Sequence, residues 1–87
     1  MRVGFVYMIT FRYVTYAQRG ERLLNRAGER CSLQRTPRWM EEQGCGYSLR
    51  LHTGNIARAV GLLRSEQLRM GKVYLRGEDG KLEEVAV

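Results

Sequence analysis

The sequence is short of the residues that most protein chemistry uses. It holds one histidine, two cysteines and one proline in 87 residues. Two cysteines are too few for the disulfide scaffolds that hold small secreted domains together. Added to a lone histidine, they also fall short of the four ligands of a closed zinc site. No metal and no cofactor is therefore expected. A Gly-rich phosphate loop and a Ser/His/Asp set are both missing, and no stretch approaches the roughly 20 apolar residues of a membrane span. The opening residues imitate a signal peptide only faintly, because the apolar run is short, no small-residue cleavage site follows and Arg12 ends it. These absences fit a cytoplasmic domain that works without a resident cofactor.

What is present is one domain's worth of globular sequence. The expected domain is 1–87, with a core of about 3–76 and an acidic tail over 77–87. A chain this short buries only about 60–65% of its unfolded surface, which favours pairing with itself or with a partner. Residues 1–76 carry fourteen Lys or Arg against five acids, a balance of +9, and residues 77–87 carry one Lys against four acids, a balance of −3. Thirteen of the fifteen basic residues are arginine. A body of that sign suits an acidic protein or an anion, and equally a solvated surface.

The hydrophobic pattern changes period along the chain. Residues 3–10 are apolar on both parities, as in a central strand covered on two sides. Val14, Ala17, Leu24 and Ala27 then recur at helical spacing, with Arg19, Arg22 and Arg26 on another face and Gly28 placed as a left-handed cap. Residues 30–35 alternate like a half-buried strand, with Cys31 and Leu33 inward as core groups. Thr36-Pro37 through Gly44 spells one or two helical turns, with Trp39 pinning them to the domain. Tyr47, Leu49 and Leu51 face inward on the next strand, and Ser48, Arg50 and His52 face out. Ile56, Ala59, Val60 and Leu63 form one helical stripe. Residues 72–76 make a fourth strand, and a turn at 77–80 leads to a short added strand over 82–87. The order predicts an α+β, ferredoxin-like βαββαβ sandwich. It has a four-stranded antiparallel sheet, two helices on one face and a C-terminal hairpin-like extension. The other face, with Val6, Met8 and Arg50, is a candidate surface for a homodimer or a partner.

Cys45, in Gly44-Cys45-Gly46, is the candidate reactive group. Its flanking glycines remove side-chain bulk and allow backbone angles that aim N–H groups at an anion. Arg38 and Arg50 are near in sequence, and cations favour thiolate over thiol. The helix end before Cys45 acts in the opposite sense, so the direction of its pKa stays open. The competing reading is a small thiol filling a tight bend. A Cys45–His52 pair is opposed by the roughly 23 Å that seven strand residues span and by opposite parity. Tyr13, Tyr16 and the arginines of the first helix admit weak nucleic-acid binding. With no helix-turn-helix, KH, zinc-finger or RNA-binding strand signature, nucleic acid is not expected as a partner.

Tyr7-Met8-Ile9-Thr10-Phe11, then Ala17, Glu21, Leu24 and Gly28, then Thr36-Pro37-Arg38 and Cys45-Gly46-Tyr47-Ser48-Leu49-Arg50 together resemble the selenium/sulfur carrier protein-like family of small bacterial and archaeal domains. The resemblance runs from about Tyr7 to Leu75. It implies a carrier or accessory protein without turnover of its own, holding sulfane sulfur or selenium as a persulfide on Cys45. Gly44, Gly46, Arg38 and Arg50 would support the site, and protein donors and acceptors would be the partners. The segment Glu41-Glu42-Gln43-Gly44 departs from the small, Ser-rich spacer usual in that family. The alternative is a ferredoxin-like interaction module in which Cys45 is structural.

Overall fold

The computed structural model describes residues 5–36, 46–77 and 79–87. The helical turns expected after Thr36, with Trp39, lie outside them. In chain order the elements are β1 (Phe5–Phe11), α1 (Val14–Arg26), β2 (Arg30–Arg35), β3 (Tyr47–Thr53), α2 (Ile56–Ser65), β4 (Val73–Arg76) and β5 (Leu82–Val85). The strands form one antiparallel sheet in the order β2-β3-β1-β4-β5. The sheet therefore has five strands where four were expected. The acidic segment pairs with β4 from Val73↔Val85 to Arg76↔Leu82. The reversal into it is tied by Gly77 N–H donating to Lys81 O at 2.8 Å, with Gly80 at φ +84°.

The apolar run of β1 has its explanation in this order. β1 is the middle strand, and its two faces meet different surroundings. Tyr7, Ile9 and Phe11 enter the core with Leu49, Leu51 and Val73 from the flanking strands and with Ala17, Leu24, Ala59, Val60 and Leu63 from the two helices. Both helices thus pack on that one face. On the other face Met8 and Thr10 are also buried, and the Thr10 hydroxyl accepts from Lys72 N at 2.8 Å, fixing the entry to β4.

Each helix ends where local chemistry ends it. Asn55 caps α2 by accepting from Arg58 N at 3.0 Å. The chain leaves α1 through Gly28 at φ +92°, a left-handed angle that costs a residue with a Cβ. Gly20 serves packing instead. A Cβ there would lie 3.1 Å from both Leu49 Cδ1 and Leu63 Cδ2, so its absence lets α1 approach the sheet and α2 closely.

β2 is an edge strand, and α1 closes its outer side. Asn25 pairs with both backbone groups of Cys31, accepting from its N–H at 3.1 Å and donating to its carbonyl at 3.0 Å. Glu21 accepts from Leu33 N at 3.0 Å. Unpaired edge groups invite another strand, and these side chains occupy three of them.

Candidate functional site

The strand β3 carries the described part of the expected site. Gly46 lies just before it. The Gly46 carbonyl accepts from Thr36 N at 2.9 Å, continuing the β2–β3 ladder by one pair. Cys45, Gly44 and Arg38 lie outside the described residues. Gly46 and Arg50 are placed on the same strand with the same parity, about 13 Å apart along it at about 3.3 Å per residue.

The face that Gly46 and Arg50 share points away from the helices. Its rows follow from the register: Gln34 opposite Ser48, Ser32 opposite Arg50 and Arg30 opposite His52. Thr10 and Met8 flank Ser48 and Arg50 from β1. Ser48 was expected to face solvent, and it does point away from the core. It is nevertheless 0% exposed. Three polar atoms here are buried without a hydrogen-bond partner: Thr36 Oγ1, Ser48 Oγ and Arg50 Nε. Buried polar groups are normally satisfied, so three orphans on neighbouring positions of one ladder are unusual. Alternation revealed Arg50; nothing in the pattern singled out Thr36 or Ser48.

Met8 was expected as part of an open apolar surface. It is 6% exposed, and Gln34 Nε2 reaches its sulfur at 3.6 Å. Val6, the other apolar residue expected on this surface, is half-buried.

Cys31 faces the helices, as its parity with Leu33 predicts, and packs against the core. It is half-buried rather than fully enclosed, because β2 has a neighbouring strand on one side only. Burial, and then the nearby Glu21 carboxylate, pushes its thiol from 9.0 up to about 12. A thiol held that high is protonated at neutral pH and is a poor nucleophile. His52 is exposed near the far end of β3, as expected.

The arginine stripe of α1 lies elsewhere. Arg19, Arg22 and Arg26 line a groove of about 130 Å³ with Glu66 and Leu68. Tyr13 and Tyr16 meet edge to face, with ring centroids 5.8 Å apart. The carboxylate of Glu66 breaks the positive run, and this side of the molecule is not the side of Gly46. Among the described residues no helix is long and apolar enough to cross a membrane.

The family model described as "Putative Se/S carrier protein-like" matches residues 6–75, and the chain belongs to that family. The matched span takes in the sheet from β1 to β4 and both helices, and β5 falls beyond it. No curated protein and no solved structure matches the chain.

Proposed function

We propose that this protein carries sulfane sulfur or selenium as a persulfide on Cys45, receiving it from one protein and passing it to another. The observation that supports this most is the surroundings of Gly46 within a member of the selenium/sulfur carrier family. Cys45 is bonded directly to Gly46, and Gly46 is hydrogen-bonded to Thr36 at the end of the β2–β3 ladder. The orphaned hydroxyls of Thr36 and Ser48 and the orphaned Nε of Arg50 lie on that ladder. Hydrogen-bond donors and a cation favour the anionic form of a persulfide, which is the form a carrier must present.

The transfer is thiol–disulfide-like exchange. The Cys45 thiolate attacks the terminal sulfur of a donor persulfide, a sulfur–sulfur bond forms to Cys45, and the donor thiolate leaves with the electron pair. Nothing is oxidised overall, so no cofactor and no independent turnover are needed. The strand order β2-β3-β1-β4, with a helix after β1 and after β3, is that of the split βαβ plan, and we assign the ferredoxin-like topology with β5 added at its edge. Such a carrier works in the cytoplasm, where thiols stay reduced. Its partners are the donor and acceptor proteins.

The test is intact mass after incubation with a cysteine desulfurase and cysteine. Wild type and Cys31→Ser should each gain one sulfur, and Cys45→Ser none. Equal labelling of all three, or none, would leave Cys45 as a structural thiol in an interaction module.

A further inference from the structure

The arginines of α1 do not stand alone in the fold. Arg19, Arg22 and Arg26 recur every three or four residues, so they share one side of the helix and span about 10 Å of it. The groove of about 130 Å³ beside them has Leu68 in its lining. Leu68 also lines a wider groove of about 670 Å³, with Tyr16, Arg64, Gln67 and Arg69. The two grooves therefore meet at Leu68 and make one depression on the helix side of the molecule. Spacing along the sequence reveals only the α1 stripe; the turn after α2 brings Arg64 and Arg69 beside it.

That turn is fixed by its backbone. Leu68 N–H donates to Leu63 O at 3.0 Å and Gln67 N–H to Arg64 O at 2.9 Å, the pair of bonds that closes a helix on a left-handed residue. The left-handed residue is Gln67, at φ 59°, where a glycine would cost less. Leu68 anchors the turn in the core, and Arg64, Glu66, Gln67 and Arg69 around it are exposed. Five guanidinium groups thus line the depression with one carboxylate, Glu66. Among the described residues no carboxylate pairs with Arg19, Arg22, Arg26 or Arg69, and Arg64 donates to Val87 O at 2.8 Å. Tyr16, in the same lining, meets Tyr13 edge to face, and Tyr13 is 57% exposed.

We infer that this depression binds single-stranded nucleic acid, with the arginines on its phosphates and the exposed Tyr13 ring stacked on a base. Two features choose this occupant over an acidic protein. A protein interface buries a core of apolar side chains, and here the apolar floor is Leu68, which the domain's own core already covers. Nucleic-acid sites are more polar and much more positive, and they pair cations along a backbone with aromatic platforms. The strand is single because the arginines line a concave strip, whereas a duplex is read by an element that enters its groove. The α1 stripe spans about three nucleotides at about 3.4 Å each. This binding stands apart from the carrier reading, because the depression is on the helix side and Gly46 is on the opposite face of the sheet.

The test is fluorescence anisotropy of the full chain with labelled oligoadenylate RNA of about 12 nucleotides, at about 50 mM salt. Wild type should bind, and the log of its affinity should fall with log salt at a slope of about −3, near −0.7 for each phosphate neutralised. Arg19→Gln, Arg22→Gln and Arg26→Gln together should weaken binding by about tenfold or more and flatten the slope by about 2. Arg30→Gln, on the sheet side, should change neither. Tyr13→Ala should weaken binding by about fivefold or more. Glu66→Gln should tighten it by about twofold, a gain that misfolding cannot produce, and it serves if the triple variant does not fold. No binding at this salt, an equal loss in Arg30→Gln, or no gain in Glu66→Gln overturns the site. Labelled polyglutamate of the same length bound as tightly as the RNA assigns the depression to an acidic protein and overturns the nucleic acid. Duplex bound as tightly as the single strand overturns the strandedness.

Discussion

Alkylation of Cys31 puts a number on how far the fold suppresses this thiol. The nucleophile is the thiolate, so the rate follows the ionised fraction. Burial and Glu21 move the Cys31 thiol from 9.0 to about 12. At pH 8 an unshifted thiol is about one-tenth ionised, and one at about 12 is ionised to about one part in ten thousand. Native Cys31 should therefore react roughly a thousandfold more slowly than the same residue in the denatured chain. The assay uses Cys45→Ser, so that one thiol remains, with iodoacetamide and mass spectrometry over time. The native rate should climb about tenfold per pH unit to pH 11, where an ordinary thiol levels off near 9. A native rate that levels near pH 9 would refute the reasoning. The same shift affects stability. Above pH 9 the unfolded chain gives up the thiol proton and the folded chain keeps it, so unfolding gains from rising pH. Relative to Cys31→Ala, wild type should lose stability steadily between pH 9 and about 12, and no difference should develop below 9.

Three further substitutions test the packing. In Gly20→Ala the new methyl group meets two leucine carbons at 3.1 Å, so urea unfolding should show a loss of about 1 kcal/mol or more. Gly61→Ala on α2 meets nothing within 4 Å and should gain about 0.5–1 kcal/mol from helix propensity alone. Asn25→Ala removes both bonds to Cys31 and should cost about 1–2 kcal/mol; it also frees the β2 edge, so light scattering should report more self-association.

The elements that could be read in the sequence were those whose period depends on one partner. The α2 stripe from Ile56 to Leu63 needs only a core on one side, and it fell where expected. β3 alternates because the helices cover one of its faces, so Leu49 and Leu51 were legible as core. Gly28 was legible because a left-handed exit from a helix has a near-unique residue preference. What depends on strand order was hidden. Cys31 has the parity of a core residue, but exposure also depends on whether β2 has a neighbour on each side, and it has one. The fifth strand was legible as a segment with a turn before it, but its pairing with β4 is a matter of which edge lay open. At the candidate site, alternation placed Arg50 outward. It could not reveal that no carboxylate among the described residues pairs with Arg50 or that Ser48 and Thr36 bring buried, unanswered hydroxyls to the same face, because those facts join residues from two strands. Cys45 and Arg38 stay where the sequence put them, as proposals.

The way α1 covers β2 limits how copies of this protein can meet. Asn25 and Glu21 occupy backbone groups at one margin of the sheet, and β5 forms the other margin. Growth by strand pairing is therefore one-sided. At the β2 margin an added strand would have to displace Asn25 from Cys31 and Glu21 from Leu33. The side chains of α1 thus act as a guard on one margin of the sheet, where bare backbone would otherwise invite a stray strand.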